Sequence, residues 1–299
     1  PIIIQLRNRR RYQQNPKLYL RLGWIISTIL SLSLATLAIF SALFFSNLTN
    51  NLPSIEILPL LLEPPHASLL QPTRLYDRDG KNVLYVLENP TVVERIFLTT
   101  EQVLNSLPEA ENSRPVISPW LIEATIATSD PDFWKHPGYS FEGIFNGKHA
   151  TLAQRLVTDL LLWNEPSSLQ RAFRERILAA QITHRYKRIS ILTWYLNSRQ
   201  YGPLIYGAET AARVYFNKSA LEMELYEAAL LVASAENLTI NLFDTPKEVI
   251  ETAKRVIQKM LAKGVITTEQ AQIASQKITK FKPIVTNPQM VTPAFVTLT

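Results

Sequence analysis

The side chains whose types and spacing could carry chemistry in this 299-residue sequence include carboxylates, guanidinium groups and imidazoles, and the sequence contains no Cys. The lack of Cys excludes disulfides, thiolate metal sites and a Cys nucleophile. Arg171 and Glu175 stand four residues apart in a stretch with helical periodicity. That spacing makes them either part of a site or a surface ion pair worth about 0.2–0.5 kcal/mol. His136, followed by Pro137-Gly138, is predicted to hold the fold through hydrogen bonds rather than to act as a catalyst.

The basic residues are concentrated at one end of the chain, although the net charge of +6 could suggest a nucleic-acid-binding protein. Those before residue 22, with no acidic residue among them, are Arg7, Arg9, Arg10, Arg11, Lys17 and Arg21. The remaining 25 Lys and Arg residues equal the 25 Asp and Glu residues in number. A nucleic-acid-binding surface should extend over the folded domain, so we expect no nucleic-acid partner.

An uncharged apolar segment at 22–46 follows the basic tail at 1–21. About 20 apolar residues suffice to cross the hydrocarbon core of a bilayer. The segment is therefore predicted to be a transmembrane helix rather than a cleaved signal peptide, whose apolar region is shorter. Because Lys and Arg favour the cytoplasmic side, we expect a cytoplasmic N-terminus and an extracytoplasmic location for residues 47–299.

Small residues recur along the apolar segment at three- and four-residue spacing. They are Ser27, Ser31, Ala35, Ala38 and Ala42. Small residues at this spacing let helices approach closely in lipid, which favours packing against the transmembrane helices of other membrane-protein subunits. The alternative is a lone membrane anchor in which the small residues are incidental.

Beyond a connector at 47–73, the sequence predicts a mainly α domain with a small β element at its start. Asp79-Gly80 lies between two short β-prone runs and predicts a hairpin, because Gly readily adopts the positive φ of a tight turn. Helical periodicity is found over about 120–129, 151–163, 167–187, 189–198, 205–214, 219–235, 246–263 and 267–277. Gly264 is predicted to be a C-cap and Thr268 an N-cap.

Four stretches carry recognisable motifs, in order, at 121–138, 150–156, 171–197 and 206–219. The first compares with A-x-x-A-x-E-D-x-x-F-x-x-H-x-G, the second with G-G-S-T-I-T-Q-Q-L, the third with R-K-x-x-E and R-Y-S-K-x-x-I-L-E-x-Y-L-N, and the fourth with Y-G-x-x-x-A-A-x-x-Y-F-G-K-S. Together they resemble glycosyltransferase family 51. This is the lipid II-polymerising domain of class A penicillin-binding proteins and monofunctional transglycosylases.

The resemblance covers about residues 70–280 and implies a fold and a location. It implies a mainly α, lysozyme-like bilobal domain at 74–282 with a small N-terminal β-hairpin, preceded by one transmembrane helix. Residues 283–299 resemble the junction at which a transpeptidase domain begins in class A penicillin-binding proteins. The expected location is the bacterial cytoplasmic membrane, crossed once, with the bulk of the chain outside.

The family's reaction joins the 4-hydroxyl of one lipid-linked disaccharide to the anomeric carbon of a growing chain and expels undecaprenyl pyrophosphate. A carboxylate must take the hydroxyl proton, and cations or a divalent metal ion assist the leaving group. At the family's base position, normally Glu, this chain has Ser129. A Ser hydroxyl cannot accept this proton near neutral pH, and loss of a positioned base costs about 10²–10⁴ in rate. We therefore expect a catalytically inactive protein.

Other family positions are partly retained and partly replaced. Asp130 and Glu175 keep family acids and are the catalytic candidates if the chain is instead an active, divergent glycosyltransferase. The substrate-binding positions that the resemblance retains are Thr151, Gln154, Arg171 and Asn197. The replaced positions are Lys148, His149, Ala150, Arg155, Thr158, Ala172 and Thr193. The segment between Gly138 and Thr151 is also shorter than the family's.

The expected function is that of a membrane-anchored accessory or scaffold subunit of a membrane complex, with weak binding of lipid II or peptidoglycan at most. No cofactor is expected, and no metal unless the active alternative holds. That alternative is a divergent peptidoglycan glycosyltransferase. A third interpretation is a glycan-cleaving enzyme on the related lysozyme-like fold, which would need a carboxylate of raised pKa in the cleft; Glu175 is the candidate.

Overall fold

The computed structural model describes residues 16–64, 66–71, 73–87, 97–99, 116–145, 150–203 and 205–282. Most of the basic tail, the replaced positions Lys148 and His149, and the extension at 283–299 lie outside the described residues. The chain divides into two compact units, Pro1–Leu52 and Pro53–Thr299. Each unit is described by itself.

The first unit contains one long helix, α1 (Pro16–Thr49, 34 residues). Within the part of the chain that the structure describes, Leu20–Thr49 is the one stretch of helix long and apolar enough to cross a membrane. It is longer than the predicted 22–46, because the uncharged residues that follow continue the helix. Four of its hydroxyl groups, those of Thr28, Ser33, Thr36 and Thr49, donate to helix carbonyls, as Thr28 Oγ1 does to Ile25 O at 2.8 Å. These polar atoms are satisfied without water.

The second unit begins with two short helical segments inside the predicted connector, α2 (Ile57–Leu62) and a 3₁₀ turn at Ser68–Leu70. Leu58 and Leu62 are fully buried, because residues four apart lie on one face of a helix. Just after α2, the Glu63 carboxylate accepts a hydrogen bond from Trp194 Nε1 at 2.8 Å. Part of the connector therefore packs on the domain.

The predicted hairpin is present. β1 (Thr73–Tyr76) pairs antiparallel with β2 (Val83–Leu87), and Gly80 has φ +69° in the turn. The Asp77 carboxylate accepts bonds from Lys81 N at 2.9 Å and Asn82 Nδ2 at 2.6 Å. These bonds hold the turn in the manner of other Asp residues that bond to nearby backbone.

The remaining elements are mostly helices, as predicted. They are α3 (Pro119–Ser129), α4 (Leu152–Leu160), α5 (Leu169–Arg185), α6 (Arg188–Ser198), β3 (Gln200–Gly202), β4 (Ile205–Tyr206), α7 (Ala208–Phe216), α8 (Leu225–Glu236), α9 (Pro246–Ala262) and α10 (Thr268–Lys280). The predicted helix over 205–214 starts later because β4 pairs with β3. The predicted helix over 219–235 is divided into a 3₁₀ turn and α8.

One predicted cap is wrong and another is close. The N-cap of α10 is Thr267, not Thr268, and its hydroxyl accepts from Gln270 N at 3.2 Å. Gly264 follows the C-cap residue of α9 and has φ +70°, the conformation in which helices commonly end.

The core is centred on α8, which packs against α3, α9 and α10. Residues 227–235 of α8 are all buried, because this helix is apolar on nearly all sides. A second group is formed by α4, which packs against α5 and α6. The C-terminal ends of α3 and α8 meet α4, and the polar residues of interest lie at this junction.

Candidate functional site

The base position of the first motif faces an acidic residue from another helix. Ser129 ends α3 and Glu236 ends α8. The Ser129 hydroxyl donates a hydrogen bond to Glu236 Oε1 at 2.5 Å. Ser129 is 7% exposed. A carboxylate is therefore present at the base position, although residue 129 does not supply it.

Arg155, on α4, neutralises that carboxylate. Its Nη1 lies 2.7 Å from Glu236 Oε1 and its Nη2 lies 3.4 Å from Oε2. The two side chains are only 18% and 24% exposed. Burial opposes ionisation of Glu236, but the charge and hydrogen bond of Arg155, the Ser129 bond and the charge of Arg199 outweigh it, so the pKa of Glu236 is lowered. The carboxylate is ionised near neutral pH and its charge is paired.

These residues border a cavity of about 530 Å³, which we call the Glu236 cavity. Its lining residues are Ser129, Glu142, Ala150, Arg155, Asp159, Arg199 and Glu236. Arg199 Nη1 lies 3.2 Å from Asp159 Oδ2, and its Nη2 donates to the carbonyl oxygen of Ala235. The lining thus contains two guanidinium–carboxylate pairs, Arg155 with Glu236 and Arg199 with Asp159.

Asp130, a catalytic candidate from the sequence, is almost fully buried and has three hydrogen bonds. His136 Nε2 lies 2.8 and 3.0 Å from its two carboxylate oxygens, and Leu152 N donates to it at 3.0 Å. Gly138 N donates to His136 Nδ1, so the imidazole proton lies on Nε2. Burial raises the pKa of Asp130, although the bonds from Leu152 and His136 oppose the shift. His136 has the fold-holding contacts predicted for it, and Asp130 ties α3 to α4.

Glu175, the other catalytic candidate, is 3% exposed, so its interpretation as part of a surface ion pair is wrong. Its carboxylate accepts bonds from Gln154 Nε2 at 2.6 Å and Thr158 Oγ1 at 2.9 Å. Arg176 Nη1 lies 3.7 Å away. Glu175 borders a second cavity, of about 250 Å³, together with Arg171 and Arg176.

Residues 139–145, the described start of the shortened segment, border both cavities, since Glu142 lines one and Gly143 the other. Arg176 holds their backbone by donating to Ser140 O at 2.8 Å and Glu142 O at 3.3 Å. The two acids Glu175 and Glu236 therefore border different cavities.

The positions predicted to bind substrate mostly have structural contacts. Thr151 Oγ1 donates to Gly138 O at 2.7 Å, and Gln154 Oε1 accepts from Ser140 N at 2.9 Å. Asn197 is buried and bonds to both backbone polar groups of Leu98, at 2.8 Å each. Arg171 is different, because it borders the smaller cavity and its buried Nε has no hydrogen-bond partner among the described residues.

The described part of the chain contains no group of three or more His, Asp or Glu residues placed to hold a metal ion.

Comparison with known proteins agrees with the motifs. A family model described as Transglycosylase matches residues 100–261. The chain belongs to the transglycosylase family. Penicillin-binding protein 1A of Aquifex aeolicus is 31% identical over 265 residues, which cover 82% of this chain and 33% of that protein. Penicillin-binding protein 1A of Rickettsia conorii is 32% identical over 218 residues, which cover 68% of this chain and 25% of that protein.

The transglycosylase chain therefore spans about a third or less of the length of these curated relatives. A solved structure of penicillin-binding protein 1A from Haemophilus influenzae matches 70% of this chain and 20% of that one, at 20% identity and a TM-score of 0.36. The apolar helix Leu20–Thr49 and the two curated relatives indicate a single-pass membrane protein with a peptidoglycan-glycosyltransferase-like domain.

Sequence reasoning missed the residue that changes the site most, Glu236. The transglycosylase motifs that we compared end before it. One signal was available, since Glu236 follows the long apolar run Ala228–Ala235. A charged residue that ends a buried helix must find a partner or water, but the sequence does not show that Ser129 and Arg155 are those partners.

Proposed function

We propose that this chain is a membrane-anchored member of the transglycosylase family that does not polymerise lipid II and acts as an accessory subunit of a membrane complex. The observation that carries the proposal is the state of the base position. There, Ser129 donates a hydrogen bond, and the nearby Glu236 carboxylate is paired with Arg155. Glu236 Oε1 already accepts from both Ser129 and Arg155, and the charge of Arg155 makes the carboxylate a poor acceptor for the proton of a sugar hydroxyl.

The acids retained from the family motif support the same conclusion. The Asp130 carboxylate accepts hydrogen bonds from His136 Nε2 and Leu152 N. The Glu175 carboxylate accepts hydrogen bonds from Gln154 and Thr158. Either acid would have to break these bonds and move toward the substrate, and a misplacement of about 1 Å can cost 10²-fold in rate. The open Glu236 cavity leaves room for weak binding of a saccharide, so lipid II or peptidoglycan is a possible ligand without being a substrate.

The purified full-length protein is expected to form no glycan polymer from lipid II, because the missing base alone costs about 10²–10⁴ in rate. Gel analysis of products from labelled lipid II measures this. The matched control is the transglycosylase region of Aquifex aeolicus penicillin-binding protein 1A, tested in the same detergent and with added divalent metal ions. Glycan chains formed by the unmodified protein would overturn the proposal.

In this accessory role, we propose that transmembrane helices of a partner subunit pack against α1. The contact lies along the side of α1 that carries Ser27, Ser31, Ala35, Ala38 and Ala42. We further infer a cytoplasmic N-terminus from the basic tail. In that orientation protease added to spheroplasts digests the second unit, and full protection would exclude it.

Replacing Ser31 and Ala35 together by Leu is expected to release the protein from its complex in mild detergent, because larger side chains prevent close approach of helices. Ser33→Leu, off this side of α1, is the matched control and should leave the complex intact. Co-purification and size-exclusion chromatography measure release, and circular dichroism checks the fold. A protein that runs as a free monomer with the native residues would contradict the accessory role.

A further inference from the structure

The distance between Ser129 Oγ and Glu236 Oε1 can be compared with the dimensions of a Glu side chain at position 129. In any Glu side chain, the carboxylate oxygens lie about 2.4 Å from the γ carbon, by standard bond lengths. Ser129 Oγ occupies the γ position of residue 129, and Glu236 Oε1 lies 2.5 Å from it. Glu236 Oε1 therefore lies about as far from the γ position of residue 129 as the carboxylate oxygens of a Glu at position 129 would lie.

We infer that Glu236 is the proton-accepting group that this cleft retains, supplied by the end of α8 instead of the end of α3, and that Arg155 prevents it from acting. The inference rests on the family reaction used in the proposed function. In that step, a Glu236 oxygen takes the proton of the acceptor sugar's 4-hydroxyl. The freed oxygen bonds to the donor's anomeric carbon, and the carbon–oxygen bond to pyrophosphate breaks, with its electron pair leaving on the pyrophosphate.

Arg155 prevents the Glu236 carboxylate from accepting a proton in two ways, by direct contact and through its positive charge. One of its nitrogens lies 2.7 Å from the same Oε1 that accepts from Ser129, so this oxygen already has two donors. The other oxygen, Oε2, lies 3.4 Å from the second nitrogen, and the Arg155 charge makes it less basic. The family has a neutral Gln at this position. The substitution Arg155→Gln therefore removes the charge and keeps a side chain that can donate one hydrogen bond.

The other groups around Glu236 do not replace Arg155. Ser129 donates one bond, and the Tyr195 hydroxyl is bonded to Arg155 itself. Arg199 is already paired with Asp159, and Glu142 adds a negative charge to the same cavity. Burial is already the largest single influence on the pKa of Glu236, and without Arg155 only the Ser129 bond and the charge of Arg199 oppose it. Burial favours the protonated form, which makes the carboxylate a better proton acceptor.

The test compares full-length Arg155→Gln with the double variant Arg155→Gln/Glu236→Gln in lipid II polymerisation. The single variant is expected to polymerise slowly, since Ala172 stands at the Lys of the R-K-x-x-E motif and Thr158 is also a replaced position. Its rate should exceed that of the double variant by at least about 10²-fold, the lower end of what a positioned base contributes. Asp132→Asn in the Arg155→Gln chain removes an exposed carboxylate and should leave the rate unchanged.

Two results would overturn the inference: a folded Arg155→Gln protein that forms no polymer, or one whose rate does not depend on Glu236. If Arg155→Gln does not fold, Arg155→Met also removes the charge and keeps an unbranched side chain, and the same comparison is made there. The proposed function is tested separately by the unmodified protein. If that protein polymerises, Arg155 does not prevent Glu236 from acting, and that part of the inference is refuted. Glu236→Gln in the same protein then tests the proton-accepting role alone, which loss of activity supports and retention refutes.

Discussion

Replacing Glu175 by Ala is expected to lower the free energy of unfolding of the second unit by about 2–4 kcal/mol. The substitution removes a buried carboxylate that two side chains bond to at 2.6 and 2.9 Å. Gln154 and Thr158 would lose their partner, and the buried Arg176 would lose its nearest negative charge. Urea denaturation of the full-length protein in detergent, at constant pH, measures the change.

Glu165→Ala is the matched control. Glu165 also pairs with an Arg of α5, Arg174 at 2.9 Å, but its side chain is 31% exposed. A partly exposed ion pair of this kind contributes about 0–1 kcal/mol. If Glu175→Ala costs no more than Glu165→Ala, the contacts of Glu175 do not stabilise the fold, and the case for a catalytic role at this position becomes stronger.

The elements of the fold could be predicted because each depends on a local pattern. The uncharged run defined α1, Asp79-Gly80 defined the hairpin, and apolar periodicity defined the helices from α3 to α10. Errors arose where pairing between neighbouring segments overrides the helical preference of one of them. Residues 205–206 read as the start of a helix, but they pair with β3, a contact that no local pattern shows.

The candidate site was less predictable, because its contacts join residues that are far apart in the chain. A motif gives the position of an acid along the chain, but not the groups that surround it. Asp130 and Glu175 could each be read as exposed to the cleft or as a fold-holding residue. Leu152 N donates to Asp130 and Thr158 Oγ1 donates to Glu175. Both donors lie on α4, which is separate in the chain from each of the two acids. Glu236 lies 107 residues from Ser129, so only the fold reveals that they meet.

Ser129→Glu restores the family residue, yet it is expected to give no strong lipid II polymerisation and to destabilise the protein by about 1–3 kcal/mol near neutral pH. The space that its carboxylate needs is already taken, since Glu236 Oε1 lies 2.5 Å from Ser129 Oγ. Two carboxylates would then share Arg155, and one of them should have a strongly raised pKa. Adding Glu236→Gln removes the second charge and should recover most of the stability.

The pH dependence of stability separates this mechanism from simple overcrowding. In the unmodified protein the pKa of Glu236 is lowered from its ordinary value of 4.5. Its contribution to stability is therefore present above that pH and is lost as the pH falls. In Ser129→Glu, the carboxylate of raised pKa has the opposite effect, because the folded state then holds a proton that the unfolded state releases. The difference in unfolding free energy between the two proteins should grow from about pH 4 to about pH 7. A difference that is constant across this range would mean that the longer side chain destabilises the fold by size alone.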